Sequence, residues 1–472
     1  MSFGFGFGLP HIRASLGGVG GYFSVSNQTV GLPSDYFVFG NNPPIVNADK
    51  TVDLHLLFED YPNWFFAPSI MKLSTTGAFV SATGAATDAN FSTGNYDGAS
   101  YMYGYAQDSS GNTYALAWYN SAGNGIYKIL KFNSSGAFTS GLSLDSLNSK
   151  VWTGGISLSI DASNNLIVGG GALATSGTML PLVTITASTL TPTTWQYTST
   201  YTMTPGTDSA GIALARNIQS AAGVVMGFAK YNGIASTTTS YVHSKTNAWA
   251  RSIVAADTAT YMYTDMYCCN ADSAGNVYTL TRAGDGSGSF YLTLMKFNSS
   301  GALQWQNKIP TASPFACQTA ICFDASNNVY VVFGDYDGYA DYICFMKFEP
   351  SAGTQTFSRQ WYEYYENFGT TVRGVTISSN DPNFIYITGC WYNVSTSDER
   401  AYVLKLPIDG SGMGNITWSG LTYVYALGVA VTAGDNVVAT VTNPTYTTST
   451  GTSSAYAPTF SSNTYNTVVA VV

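Results

Sequence analysis

Acid–base chemistry on a sugar needs two carboxyl groups opposed across a cleft. The chain offers five glutamates for it: Glu59, Glu349, Glu363, Glu366 and Glu399. Glu363 and Glu366 are close in sequence, which does not by itself oppose them across a site. Aspartates could take either role, but most stand in turn-forming contexts. The three histidines, His11, His55 and His243, fall in no G-x-S-x-G, H-E-x-x-H or Cys/His arrangement. Gly169-Gly-Gly follows a strand-like run and opens no helix, so a phosphate loop is excluded. The run Asp335-Tyr-Asp-Gly-Tyr-Ala-Asp341 gathers Asp335, Asp337 and Asp341 in one loop. Calcium favours such oxygen clusters, yet the spacing is not that of an EF-hand. Turn formation accounts for the same residues. No catalytic constellation stands out, and the expectation is a non-enzymatic chain without a cofactor.

Aromatic rings are the second source of recognition chemistry, because they stack on sugars. Trp361, Tyr362, Tyr364 and Tyr365 fall in or near one predicted loop, and Trp391 and Tyr392 in or near another. These are the candidates for glycan contact. Tyr101 and Tyr103 share one strand face with Tyr105, and Tyr261, Tyr263 and Tyr267 repeat that pattern. Such a face serves either as an aromatic rim or as packing between sheets.

The elements that must position these residues are written as a repeat. A turn recurs as Asp108-Ser-Ser-Gly-Asn, Asp161-Ala-Ser-Asn-Asn, Asp272-Ser-Ala-Gly-Asn and Asp324-Ala-Ser-Asn-Asn. Weaker copies begin at Gln219, Asn380 and Thr432. Asp bonds its own backbone in such a turn, and Gly or Asn tolerates positive φ. A downstream strand recurs as Met71-Lys-Leu, Leu130-Lys-Phe, Val183-Thr-Ile, His243-Ser-Lys, Met295-Lys-Phe, Met346-Lys-Phe and Leu404-Lys-Leu. Turn, strand and loop signals make four strands per unit of about fifty residues, the mark of a propeller blade. The prediction is an all-β, seven-bladed β-propeller of four-stranded antiparallel blades. Turns and downstream strands run out of phase, so the ring should close by pairing of N- and C-terminal strands. In the expected scheme Val424–Val441 pairs near Ile70–Thr83, and removing 424–442 should open the ring.

The residues Asp272, Gly275, Asn276, Tyr278, Lys296, Phe297, Gly301 and Trp305 resemble the bacterial propeller repeat D-x-x-G-N-x-Y … K-F-N-x-x-G-x-x-x-W. The resemblance spans roughly residues 60 to 442 and implies the fold while saying little about chemistry.

Composition narrows the class. Only 10% of residues are charged and the net charge is −9. With no basic stripe to displace counterions, direct nucleic-acid binding is excluded. The six cysteines lie in the second half without C-x-x-C spacing, which suits thiols packed in strands in a reducing cytosol. The N-terminus is not a secretory signal, and no apolar run reaches the length of a membrane helix.

Three segments follow: an N-terminal Phe/Gly-rich arm over 1–50, the propeller over 51–442, and a Thr/Ser/Tyr-rich β-forming tail over 443–472. Phe3, Phe5 and Phe7 alternate with glycine and are the candidate assembly contacts of the arm. The opening Met-Ser-Phe-Gly-Phe-Gly-Phe-Gly-Leu-Pro resembles the starts of phage structural proteins. These features lead to an expected structural virion protein, a tail or appendage component assembled in the host cytoplasm. Its partners would be other virion proteins and host surface polysaccharide. The alternatives are a propeller-type glycosidase or lyase and a bacterial surface adhesion module.

Overall fold

A computed structural model describes residues 43–60, 65–87, 99–121, 124–145, 157–169, 177–201, 263–284, 290–315, 320–336, 341–363, 368–393 and 398–412, with the shorter strand segments named below. They form seven antiparallel sheets in succession, the blades of a propeller. Blade 5 shows the plan undecorated: Tyr263–Ala271, Val277–Gly284, Phe290–Phe297 and Leu303–Thr311 in one meander. Blade 2 runs Ala99–Gln107, Thr113–Ser121, Asn124–Phe132 and Phe138–Asp145. Blade 3 holds Ser157–Ile160, Asn165–Gly169 with Ala172–Ala174, Gly177–Thr186 and Thr191–Tyr201. Blade 4 holds Ile212–Ser220, Gly223–Asn232, Thr237–Ser244 and Trp249–Ala255. Blade 6 splits its first strand into Pro314–Phe315 and Ile321–Phe323, followed by Val329–Tyr336, Asp341–Phe348 and Gln355–Glu363.

The two remaining blades use the N-terminal fifty residues. Asp35–Phe39 and Ile45–Val46 are the split first strand of blade 1, ahead of Val52–Asp60, Phe65–Leu73 and Phe79–Thr87. Blade 7 contributes Phe368–Ile377, Phe384–Asn393 and Asp398–Pro407, and its fourth strand is Gly21–Val25 from the N-terminus. The ring therefore closes by pairing N- and C-terminal strands in a composite blade. The segments are not those expected. Leu421–Leu427 lies on the outer edge of blade 6, folded back on Gly414–Trp418, and Ala439–Thr442 on that of blade 4.

The tail then continues around the rim. Thr447–Thr450 adds to blade 3, Thr459–Ser461 to blade 2 and Tyr465–Val471 to blade 1. Gly4–Gly6 pairs in parallel with that last strand, and Ile12–Leu16 extends blade 7. Among the described residues, blade 5 alone keeps a bare outer strand. Added strands satisfy N–H and C=O groups that an edge would present to other chains.

Blades pack face to face, so a central strand is buried on both faces and reads as a continuous apolar run. Val329, Tyr330, Val331, Val332 and Phe333 are all buried. Apolar residues of blades 5, 6 and 7 join in one cluster that includes Leu280, Val331, Phe345 and Ile387.

Candidate functional site

Each blade has a turn end, carrying its two tight turns, and an open end, where strands meet the longer connections. Hydrogen bonds between neighbouring blades put the turn ends on one face. Ser109 N–H donates to Asn164 Oδ1 at 3.0 Å, joining blades 2 and 3, and Ser273 Oγ to Asn327 Oδ1 at 2.8 Å, joining blades 5 and 6. Asn380 Nδ2 donates to the Val46 carbonyl at 2.8 Å, which brings blade 7 back to blade 1. Arg251 and Arg359 donate to the Gly301 and Gly410 carbonyls of the next blade at 2.6 and 2.8 Å.

The turn face consumes its carboxylates. Asp272 Oδ1 accepts from the Ala274 and Asn276 amides, and Oδ2 accepts from Asn276 Nδ2 at 2.8 Å and the Tyr278 hydroxyl at 3.1 Å. Asp108 and Asp324 repeat the arrangement with Tyr114 and Tyr330. Burial, then the Asp272 charge, pushes the Tyr278 hydroxyl well above its ordinary range. Lys296 stands directly across from Tyr278 in the ladder, its ammonium 5.6 Å from the ring centroid, a cation–π contact worth about 0.5–1 kcal/mol. This explains the spacing of the repeat: the lysine of K-F-N covers the tyrosine of D-x-x-G-N-x-Y. Glu349 accepts from the Ser351 hydroxyl and from the amides of Ser351 and Ala352, which hold its carboxyl down at about 2. A cavity of about 20 Å³ between blades 1 and 2, lined by Asp53, Lys72, Thr113 and Ser134 among others, has room for a water and none for a sugar.

The sequence candidates fall as follows. Trp361 lies in a strand, 1% exposed, paired with Ile343 and Tyr425. It belongs to the apolar cluster of blades 5, 6 and 7, so it offers no ring to a ligand. Tyr362 pairs with Tyr342 at the open end of blade 6, ring centroids 5.2 Å apart. Tyr364 and Tyr365 lie outside the described residues. Trp391 and Tyr392 stand at the end of a strand, two positions and one from the open end of blade 7. Tyr101 and Tyr103 occupy the first strand of blade 2 toward its open end, while Tyr105 further down is buried between blades. Phe5 belongs to the strand paired with Ala470, and Phe3 and Phe7 lie outside the described residues.

Of the calcium candidates, Asp335 is engaged with backbone amides. It accepts from the amides of Ala312, Ser313 and Tyr336 at 2.7–3.1 Å, so its carboxylate fastens the segment ahead of Pro314–Phe315 to the second strand. Asp341 begins the facing strand, and Asp337 lies outside the described residues. Among the described residues no three His, Cys, Asp or Glu side chains converge on a metal position.

What sequence reasoning missed is the concentration of carboxylates at open strand ends of three successive blades. Asp341 and Glu363 end strands of blade 6, and Asp398 and Glu399 open a strand of blade 7. Glu59 and Asp60 end a strand of blade 1. The signal was present in the turn repeat, which fixes the end of each strand where a residue falls.

No family model and no curated protein matches the chain. Solved structures share its architecture. A polysaccharide lyase is 8% identical with a TM-score of 0.47, over 79% of this chain and 90% of that one. An α-L-arabinanase of Penicillium chrysogenum complexed with arabinobiose is 12% identical, TM-score 0.39, over 65% and 94%. Phage phi92 endosialidase is 10% identical, TM-score 0.38, over 90% and 74%. The fold, a β-propeller, stands on the seven sheets themselves. The expectation of a non-enzymatic chain is corrected on the comparisons, because these similarly folded proteins bear the names of carbohydrate-active enzymes.

Proposed function

We propose that this propeller engages carbohydrate through its open face, over blades 6, 7 and 1, as a glycan-cleaving or glycan-binding protein. The observation that carries the reading is the division between faces. Turn-face carboxylates such as Asp108, Asp272, Asp324 and Glu349 are consumed in hydrogen bonds. Glu363, Asp398, Glu399, Glu59 and Asp60 stand at open strand ends of blades 6, 7 and 1, as Tyr362 and Tyr392 do in blades 6 and 7. Carboxyl groups on separate blades can oppose one another across a bound sugar, as acid and base catalysis requires. Rings at strand ends offer apolar faces to pyranose C–H groups.

The terminal segments support the same reading. Their described strands pair with the propeller's own blades. A place in a phage particle is the finer proposal within this reading. Its support is the set of buried thiols, Cys268, Cys269, Cys322, Cys344 and Cys390, none of them in a disulfide.

The test is affinity electrophoresis and reducing-end release on a panel of polysaccharides, with Glu363→Gln, Glu399→Gln and the turn-face control Asp49→Asn. Retardation or cleavage by the parent chain, lost in the first two variants and kept in the third, supports the proposal. A chain that neither binds nor cuts any polymer sinks it.

A further inference from the structure

Among the described residues the exposed large apolar side chains are Val80, Leu303 and Tyr336, and Tyr336 alone is aromatic. Val80 and Leu303 stand at turn ends, just after the turns that open the last strands of blades 1 and 5. Tyr336 stands at the opposite end. It is 45% exposed and closes the second strand of blade 6 on the open face. By contrast Tyr114, Tyr278, Tyr330, Tyr386 and Tyr402 are fully buried.

The backbone beneath Tyr336 is fixed. Asp335 accepts from the Tyr336 amide at 3.1 Å and from the Ser313 amide at 2.7 Å, which ties this strand end to the connection from blade 5. Across the ladder Tyr336 pairs with Asp341, itself partly exposed. Directly opposed residues share one face of a sheet, with Cβ atoms about 5 Å apart. The next pair along, Asp335 with Tyr342, points to the other face, where Tyr342 packs against Tyr362.

Resting on the carbohydrate reading above, we propose that Tyr336 and Asp341 form a sugar-binding subsite at the open end of blade 6. The Tyr336 ring carries the C–H face of a pyranose unit, and the Asp341 carboxylate accepts from its hydroxyls. A pyranose has both features: C–H groups on a face, which suit the negative face of an aromatic ring, and hydroxyls around its rim. An ionised carboxylate has about four acceptor positions, so Asp341 can take sugar hydroxyls beside the bonds it makes within the chain. Such charge-assisted bonds are shorter and stronger than neutral ones. A ring on a strand end held by backbone bonds is also better placed than one on a loop. The pair supplies affinity and orientation; acid–base work needs a second carboxyl across the sugar.

The experiment runs the full chain in gels containing dextran, galactan, mannan or polygalacturonate, beside Tyr336→Ala, Tyr336→Phe and Asp341→Asn. On the polymer that retards the parent most, Tyr336→Ala should weaken binding about 10-fold or more, the scale of returning part of an apolar side chain to water. Asp341→Asn should weaken it several-fold, and Tyr336→Phe should keep it, because the ring carries the contact. Thermal melts matched to the parent show that the variants are folded. A second measurement needs no variant: tetranitromethane should nitrate Tyr336 in the parent, read by peptide mass, and the bound polymer should protect it. Unchanged retardation of Tyr336→Ala or Asp341→Asn, or nitration that the retarding polymer does not reduce, overturns the subsite and leaves the carbohydrate function standing. A loss in Tyr336→Phe equal to that in Tyr336→Ala overturns the stacking contact. If no polymer retards the parent, the subsite and the carbohydrate reading fall together.

Discussion

His55 of blade 1 lies flat against Tyr105 of blade 2, ring centroids 3.9 Å apart and planes 18° from parallel. Both imidazole nitrogens and the tyrosine hydroxyl are buried without a hydrogen-bond partner. Burial pulls the histidine down to about 3, so it stays neutral in the folded chain. Unfolded, it titrates near 6.5. Between those values the unfolded chain binds the extra proton, so this contribution is intact above about pH 6.5 and is lost as pH falls. The slope is about 1.4 kcal/mol per pH unit, or about 2 kcal/mol at pH 5. Asp53, two residues away, works in the opposite direction, its carboxyl raised by burial first. A difference measurement cancels that term. His55→Phe keeps the stack and removes the proton site, so chemical denaturation at pH 7 and pH 5 should show a smaller loss in the variant. Equal losses in the two proteins would refute the assignment.

Lys405 and Lys50 both reach Asp381, but from different environments. Lys405 is 7% exposed and Lys50 54%, while the aspartate itself is nearly buried. Burial raises the Asp381 carboxyl, and bonds from Lys405 and the Tyr386 hydroxyl, with the Lys405 charge, outweigh it and hold it below its ordinary value. Removing a buried partner leaves an uncompensated buried charge, at a cost of about 3–5 kcal/mol. An exposed ion pair contributes under about 1 kcal/mol. Lys405→Met should therefore destabilise several-fold more than Lys50→Met in urea denaturation. Equal effects would show that burial of the partner does not set the cost of losing it.

Gly301 has φ near +77° and closes the turn between the last two strands of blade 5. A Cβ there would sit 2.5 Å from Cδ2 of Trp249 in blade 4. That ring cannot retreat, because its Nε1 donates to the Ser299 carbonyl at 2.9 Å. Gly111 shares the conformation, φ +80°, but its Cβ would meet only Ser134 at 3.2 Å. Gly301→Ala combines strain with overpacking and should cost about 3 kcal/mol or more, whereas Gly111→Ala should cost about 1–2 kcal/mol. Thermal melting orders the two. A Gly111 variant that melts lower would show that φ alone, and not the tryptophan, sets the cost.

The blade count and the turn chemistry were legible in the sequence because Asp, Gly and Asn there act locally, on their own backbone. Even the exchange of Gly for Asn within the turn has a local site, since Asn164 and Asn327 adopt positive φ and reach back to Ser109 and Ser273. The first such turn escaped notice. It is Asn47-Ala-Asp-Lys-Thr51, closed by the same pair of backbone bonds, with Asn for Asp and Lys50 at positive φ. Missing it created the phase offset that misplaced the closure. Edge pairing by the terminal segments was not legible, because which edge an alternating strand joins depends on where the chain has already travelled. Trp361 read as exposed for a related reason: it is buried in the cluster built from blades 5, 6 and 7, whose packing no local pattern announces.

Removal of the tail should separate ring closure from edge protection. Residues 443–472 supply strands to the outer edges of blades 3, 2 and 1, and none of these lies inside a blade. Residues 1–25 supply Gly21–Val25, the fourth strand of blade 7. Bare edges invite pairing with other chains, whereas a missing blade strand opens a seam between blade 7 and its neighbour. The chain lacking 443–472 should keep a cooperative melt and β-type circular dichroism, and self-associate in a concentration-dependent way by sedimentation. The chain lacking 1–25 should lose the cooperative melt. Should the tail deletion abolish folding while the N-terminal deletion is tolerated, closure lies in the tail and the composite blade is not what holds the ring.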